Sequence, residues 1–241
     1  MKRISILRVP VDDCTLRGAV ERIDQFLHAD SQHMVATPNP EMILAAHHDC
    51  DFLTILQSTS LNIPDGTGVL WAAKHQKHPL TERVTGTDVM IDLCSLKHNY
   101  RIFLLGAAEG IAEQVKEKLV KKNPGLQIVG ALAGSWKVSD ELSIVECINR
   151  TQAQLVFVAY GAPHQERWIA RNLAKMPSVK VAMGVGGAFD FIAGKQKRAP
   201  QAWQKAGFEW AWRLLHAPQR WRRMWNAVVV FPLTVLLSRS S

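Results

Sequence analysis

The chain has few cysteines, and they lack the spacing of metal ligands or of a disulfide framework. Cys14, Cys50, Cys94 and Cys147 are scattered along 241 residues, with no CxxC pair and no nearby histidine at ligand spacing. Disulfide-stabilised folds and zinc sites are therefore disfavoured. Reduced thiols are typical of proteins that work in the cytoplasm.

Long apolar segments are also missing. The apolar run Ala227–Leu237 has 11 residues, which would extend roughly 17 Å as a helix, against a hydrocarbon core about 30 Å thick. Pro232 interrupts it, so we expect the run to lie in a membrane interface rather than to span the bilayer. Residues Met1–Arg8 become polar too soon for a signal peptide, which predicts a cytoplasmic protein.

Acidic residues are nearly absent from residues 195–241. Glu209 is the one acid there, against nine lysines and arginines, so this segment carries the whole net charge of +8. It also holds five of the eight tryptophans. The basic residues are Lys195, Lys197, Arg198, Lys205, Arg213, Arg220, Arg222, Arg223 and Arg239, and the tryptophans are Trp203, Trp210, Trp212, Trp221 and Trp225.

Such a tail is typical of a protein that works at an anionic membrane surface. Lysine and arginine are attracted to anionic headgroups, and tryptophan favours the boundary between water and lipid. One alternative is that the apolar side chains face a core or a second copy of the chain, which would make a homo-oligomer. Nucleic acid is disfavoured as a partner because no recognition helix, RRM or zinc-knuckle pattern accompanies the charge.

Ahead of the tail, β-rich runs alternate with amphipathic helical stretches. This alternation predicts an α/β fold with a mainly parallel sheet and helices on both faces, similar to a Rossmann fold. We assign residues 1–194 to this core, with a soft subdivision near 97–101, and residues 195–241 to a helical C-terminal appendage. The predicted strands and helices include a strand over Ile4–Val11, a helical stretch over Pro40–Leu56 with a break near Asp49, and buried strands at Ile102–Leu105 and Leu155–Val158.

Polar residues at the ends of parallel strands are candidates for ligand binding, because ligands bind beyond the carboxyl ends of such strands. Asp65 follows the strand ending at Ile63, where a carboxylate could accept a proton from a substrate hydroxyl; the alternative is a helix N-cap. Thr37 and Asn39 end another strand, and they could bind substrate hydroxyls or cap the helix after Pro40.

Two glycine-containing segments also follow predicted strands. In Gly161–Glu166 a helix begins whose N–H groups could attract phosphate, and Gln165 could donate or accept a hydrogen bond there. Gly184, Gly186 and Gly187 would let the backbone approach a diphosphate, although the full GxGxxG spacing is missing.

The remaining charged candidates have a structural alternative in each case. Asp190 and Arg198 flank a turn and could bind substrate or simply pair with each other. Arg83 could contact phosphate or be a solvated surface charge. Asp49 and Asp51 form a DxD triplet, but they lie in a helical stretch, so we interpret them as structural and predict no metal site.

Taken together, these motifs resemble those of the WecG/TagA/CpsF family, glycosyltransferase family 26. The similarity extends from about Val35 to Arg223 and is most specific in Gly184–Pro200 and Gly207–Arg213. The resemblance implies an inverting, metal-independent enzyme without a cofactor. Such an enzyme moves a sugar from a UDP donor to an undecaprenyl-diphosphate-linked saccharide at the cytoplasmic face of the membrane, in the synthesis of bacterial surface polysaccharides.

The resemblance also implies roles for individual residues. Asp65 would be the general base, and Thr37, Asn39 and Gln165 would surround the reacting sugars. Arg83 and the tail arginines Arg213, Arg220, Arg222 and Arg223 would face phosphate or the membrane. N-acetylmannosamine or its uronic acid is the expected donor sugar.

Two other functions are weighed against this one. A nucleotide-dependent oxidoreductase could use the Gly184–Gly187 turn, but the chain lacks a glycine fingerprint after its first strand. A non-catalytic adaptor could recruit partners to the membrane, but it would leave the polar strand ends unexplained.

Overall fold

The computed structural model describes residues 1–96, 100–196, 199–200, 203, 211–212 and 221–238. The strands are β1 (Arg3–Ile6), β2 (Val9–Asp12), β3 (His33–Ala36), β4 (Leu61–Asn62), β5 (Ile102–Gly106), β6 (Ile128–Leu132), β7 (Leu155–Ala159) and β8 (Val181–Gly184). The helices are α1 (Leu16–Leu27), α2 (Pro40–His48), α3 (Cys50–Ser58), α4 (Thr67–His75), α5 (Gly86–Leu93), α6 (Ile111–Lys122), α7 (Glu141–Thr151), α8 (His164–Asn172), α9 (Ala188–Ala193), α10 (Trp221–Trp225) and α11 (Phe231–Leu237).

Six strands form one parallel sheet in the order β4-β3-β8-β7-β5-β6. Strands β5 and β7 are buried along their whole length, which explains why their sequences are continuously apolar. Alternate residues of β5 enter different cores: Leu104 packs with α1, α5, α6 and α9, and Leu105 packs with α7 and α8. Helices therefore cover both faces of the sheet, and the predicted α/β fold is confirmed.

The single strand predicted over Ile4–Val11 is wrong. Leu7 and Arg8 adopt positive φ angles of 49° and 71°, and the chain reverses there into the antiparallel hairpin of β1 and β2. Such tight hairpin turns normally contain glycine or asparagine, and this sequence has neither at the turn. The alternation of apolar residues on both sides of the turn therefore suggested one continuous strand.

The predicted break near Asp49 is confirmed, because α2 ends at His48 and α3 begins at Cys50. The Asp49 carboxylate accepts a hydrogen bond from the Phe52 N–H at 3.0 Å and pairs with Arg167 of α8. The capping bond lowers the pKa of Asp49, and Arg167 lowers it further. Asp49 thus has the structural role expected for it, and the described residues contain no group of His, Cys, Asp and Glu that could hold a metal ion.

The C-terminal segment packs against the core by a narrow apolar face. A stretch of π-helix, Asn226–Val230, joins α10 to α11, and Phe231 and Val235 are buried among residues of the hairpin, α2, α3 and α4. Large apolar side chains on the other faces stay exposed: Trp221, Trp225, Val228, Leu233, Leu236 and Leu237. Within the described ranges, no helix combines the length and apolarity needed to cross a bilayer.

Candidate active site

The turns after β3 and β4 are fixed to each other at the carboxyl ends of the strands. The Asp65 N–H donates a hydrogen bond of 3.0 Å to the carbonyl oxygen of Pro38. The Ile63 N–H makes a similar bond of 2.9 Å to Ala36, which continues the pairing of the two strands. Asp65 is thereby held beside the segment Thr37–Asn39, as the strand-end rule predicted.

Asp65 is not the N-cap of the helix that follows it. Gly66, at a φ of 101°, occupies the N-cap position of α4 and makes no side-chain capping bond. The Asp65 side chain is half-buried. The N-cap alternative for Asp65 is therefore wrong, and its role as general base stays a prediction.

The two polar residues after β3 differ in their contacts. Asn39 caps α2, with its Oδ1 accepting a hydrogen bond of 3.0 Å from the Met42 N–H. The capping alternative for Asn39 is therefore confirmed, and binding of a substrate hydroxyl through its Nδ2 stays a prediction. Thr37 is 6 % exposed, and its methyl carbon packs close to Gly86, where a Cβ would lie 3.3 Å away. Binding of a substrate hydroxyl by Thr37 stays a prediction.

Arg83 lies in a loop that is held next to the Asp65 turn. The adjacent Val84 N–H donates a hydrogen bond of 3.0 Å to the Pro64 carbonyl, which holds the Arg83 loop against the Asp65 turn. The Arg83 side chain is half-buried. A contact between this guanidinium group and phosphate stays a prediction.

The tail reaches the site through Arg223. Its Nε donates a hydrogen bond of 2.7 Å to Oε2 of Glu41, in the first turn of α2. Its Nη2 lies 2.7 Å from the same oxygen. This pair borders a cavity of about 190 Å³, which is lined by Asn39, Glu41, Met42, Ala45, Ala162, Pro163 and Arg223. A basic residue of the appendage is thus next to the residues that follow β3.

Gln165 is buried and its polar atoms are bonded within the protein. The side chain is 2 % exposed, and its Oε1 accepts hydrogen bonds from the N–H groups of Gly161 at 3.1 Å and Gly186 at 3.0 Å. Its Nε2 donates to Oε1 of Glu166 at 2.7 Å. The expected contact between Gln165 and a sugar stays a prediction, and the bonds observed here join two turns of the site.

Glu166 is fully buried, and burial raises its pKa from the ordinary value of 4.5 to about 7. Between these two values the unfolded chain has released this proton while the folded protein retains it. The free energy of unfolding must therefore fall as the pH rises through this window. We expect Glu166→Gln to lose this contribution, so that its free energy of unfolding falls less between pH 4.5 and about 7. Denaturant unfolding at a series of pH values measures the difference. Parallel pH curves for the two proteins would contradict the expectation.

The turn after β8 presents only part of its glycine motif to solvent. Gly184 is buried, Gly186 is half-buried with a φ of 52°, and Gly187 is exposed. Asp190 lies in α9, and its carbonyl accepts the N–H groups of Lys195 and Gln196. Its expected partner Arg198 lies outside the described residues, as do Arg213 and Arg220.

An aromatic pair lies at the same ends of the sheet. The ring of Trp136, in the segment after β6, stacks on His164 at the start of α8, with centroids 3.9 Å apart and planes inclined by 17°. Trp136 is 44 % exposed. The stack therefore offers a flat aromatic surface beside the Gly161 turn.

Comparison with known proteins identifies the family. The sequence model of the glycosyl transferase WecG/TagA/CpsF family matches residues 4–241. The chain belongs to this family. The N-acetylglucosaminyldiphosphoundecaprenol N-acetyl-β-D-mannosaminyltransferase of Bacillus subtilis strain 168 is 32 % identical, over 98 % of this chain and 92 % of the relative.

Two further relatives of the WecG/TagA/CpsF family carry the same name. That of Bacillus spizizenii strain W23 is 33 % identical over 88 % of this chain and 82 % of its own length. That of Staphylococcus aureus strain MRSA252 is 32 % identical over 88 % and 84 %. The resemblance inferred from the motifs is confirmed, and these comparisons support neither an oxidoreductase nor an adaptor.

Two acidic residues of the site were missed by the sequence analysis. Glu166 stood within the Gly161–Glu166 motif, but its sequence gives no sign that it is buried. In the sequence, Glu41 looks like an ordinary acidic residue in the first turn of a helix. Only its contact with Arg223 marks it as part of the site. Neither contact leaves a local pattern in the sequence.

Proposed function

We propose that this protein transfers N-acetylmannosamine from a UDP donor to N-acetylglucosaminyl-diphosphoundecaprenol, with inversion at the anomeric carbon. The observation that carries the proposal is the placement of Asp65 beside Thr37–Asn39 at the carboxyl ends of β3 and β4, in a chain of this family. The names of the relatives support the choice of sugar and acceptor. The uronic acid of the same sugar is the second donor to test.

The reaction is a single displacement with Asp65 as general base. The carboxylate accepts the proton of the acceptor hydroxyl while that oxygen bonds to the anomeric carbon of the donor. The bond from this carbon to the diphosphate breaks on the opposite face, and UDP leaves with the electron pair. One displacement inverts the configuration and needs no covalent intermediate on the enzyme.

Negative charge grows on the diphosphate as the bond to the sugar breaks. Fixed cations that face this charge stabilise the transition state, and arginine suits the task because it can bind two phosphate oxygens at once. Among the tail arginines whose positions are described, Arg223 lines the cavity that Asn39 also lines. In our proposal Arg223 exchanges part of its contact with Glu41 for the diphosphate.

The stacked pair of Trp136 and His164 suits the uracil ring of the donor. Strand β7, which precedes His164, is separated from β4 by two strands, so the two ends are about 14 Å apart at the usual strand spacing. A nucleotide sugar that lies across the strand ends would bring its base to the aromatic pair and its sugar to Asp65. Arg83 would then face the diphosphate from the α5 side.

The appendage would hold the enzyme at the inner face of the cell membrane as a peripheral protein. Its exposed tryptophan and leucine side chains lie on faces that do not pack against the core, and Arg222 and Arg223 are close to them in the chain. Aromatic and basic groups together favour the headgroup region. This arrangement would restrict turnover to the surface that contains the lipid-linked acceptor.

The direct test is release of UDP from a panel of UDP-sugars with polyprenyl-diphosphate-linked N-acetylglucosamine, in EDTA and mild detergent. Release that depends on acceptor and occurs with UDP-N-acetylmannosamine would support the proposal. Release with another donor would change the assigned sugar. A requirement for added Mn²⁺ would contradict the metal-independent mechanism, and vesicle binding without release under any condition would favour an adaptor.

We expect Arg223→Ala to lower kcat/KM by about 10- to 100-fold, because a hydrogen bond to a charged group contributes roughly 1.5–3 kcal/mol. Arg222→Ala is the matched control, since this neighbouring guanidinium lies over the ring of Trp221 at 5.4 Å. In detergent the control should lose less than about threefold, because Arg223 lines the cavity beside Asn39 and Arg222 does not. Equal losses in the two variants would assign Arg223 no specific role.

A further inference from the structure

We propose that Glu166 is a positioning residue of this site: its buried carboxyl group fixes the Gln165 amide in the orientation that joins the turns after β7 and β8. The proposal rests on the proposed function for its activity measurements only. Its contacts belong to the protein alone, and they can be measured without substrate.

The Gln165 amide is the common acceptor of two turns. Its Oε1 accepts from Gly161 in the turn after β7 and from Gly186 in the turn after β8. Both glycines have positive φ, 75° and 52°, so their N–H groups are directed by backbone conformations that other residues rarely adopt. One side-chain oxygen therefore sets the relative position of the two turns.

This role requires a defined orientation of the amide. If the amide were rotated by half a turn, its Nε2 donor would face the two N–H donors, and both would lose their acceptor. Glu166 prevents this because its Oε1 accepts from Nε2 at 2.7 Å. A carboxyl group retains an accepting oxygen whether ionised or protonated, so the contact persists through its titration.

Gly184 allows the pair to lie against β8. A Cβ at this position would be 2.6 Å from Nε2 of Gln165 and 2.9 Å from Oε1 of Glu166. Both distances are too short for real atoms, so any other residue would displace the amide or the strand. The first glycine of the Gly184–Gly187 motif therefore accommodates Gln165 and Glu166.

Burial of the Glu166 carboxyl group costs folding free energy, which its hydrogen bond to Gln165 offsets in part. The residue is 0 % exposed, and its Oε2 has no hydrogen-bond partner among the described residues. A buried polar atom without a partner destabilises a fold, and an apolar side chain of similar size would avoid this cost. The retained carboxyl is explained by the acceptor it provides for Gln165.

The test compares Glu166→Gln, which keeps an accepting oxygen, with Glu166→Met, which removes it at similar volume. We expect Glu166→Met to lower kcat/KM for the UDP-sugar by about 10- to 100-fold and Glu166→Gln to restore it to within about threefold. In the Gln165→Met background, Glu166→Met should add no further loss, because both substitutions break the same chain of bonds. Equal losses in the two Glu166 variants, or additive losses in the double variant, would overturn the proposal.

Hydrogen exchange of the Gly161 and Gly186 amides provides the readout that needs no activity. Glu166→Met should expose both amides to exchange, and Glu166→Gln should leave them protected. If Glu166→Met does not fold, Gly184→Ala tests the same contact and should expose the Gly186 amide. Unchanged protection in the folded variant would refute the role of Glu166, whereas absence of turnover in the wild type would refute only the proposed function.

Discussion

Replacing Asp65 by asparagine should abolish most turnover and leave the fold intact. The two side chains have nearly the same shape, but an amide cannot accept the proton of the acceptor hydroxyl, and general-base catalysis typically contributes 10²- to 10⁴-fold. We expect kcat to fall by about that factor, with donor binding unchanged. The measurement is acceptor-dependent UDP release together with the affinity for UDP.

A matched control for Asp65→Asn is Asp51→Asn, the same change in an exposed residue of α3. This variant should keep wild-type turnover, since Asp51 lies in a helix away from the strand ends. Retention of activity by Asp65→Asn would remove Asp65 from the mechanism. A loss of donor affinity equal to the loss of kcat/KM would instead give it a role in substrate binding.

Replacing Phe231 by alanine should detach the appendage from the core. Phe231 is 0 % exposed and packs against α4, where its ring would lie 3.7 Å from a Cβ at Gly68, three residues after Asp65. Loss of a buried phenylalanine costs about 3–5 kcal/mol. Within the described stretch 221–238, Val235 is the other buried side chain. We expect proteolysis within residues 221–238 to increase and turnover to fall by at least about tenfold, with the unfolding of the core unchanged.

Leu233→Ala is the control for this prediction. Leu233 lies on the same helix but is 52 % exposed, so its truncation should leave the appendage docked. In our proposal it weakens binding to anionic vesicles instead. If Phe231→Ala retained full turnover in detergent, the appendage would have no part in the site and Arg223 would lose its proposed role.

The sequence predicted those parts of the fold that depend on local pattern. Continuous apolar runs identified β5 and β7 because a strand covered on both faces has no polar side. The break at Asp49 was visible because a capping residue within a helical stretch marks a new N-terminus. The N-terminal hairpin was missed because Leu7 and Arg8 adopt positive φ without glycine, at a cost that packing of the hairpin against α3 and β4 offsets.

For the site, sequence order was sufficient wherever a residue directly follows a strand. The carboxyl ends of parallel strands meet in space, so Asp65, Thr37 and Asn39 were expected to be neighbours before any contact was known. The resemblance to the WecG/TagA/CpsF family was inferred from the same motifs. These inferences need only the order of elements along the chain and the rule for parallel sheets.

Only the tertiary structure decided which polar groups are used within the protein. From the sequence, Gln165 is a candidate to bind substrate. In the structure, its amide is buried and hydrogen-bonded to Gly161, Gly186 and Glu166. Arg223 meets Glu41 across 182 positions of the chain. Hydrogen bonds and burial of this kind depend on distances between segments remote in sequence, and local patterns carry no information about such distances.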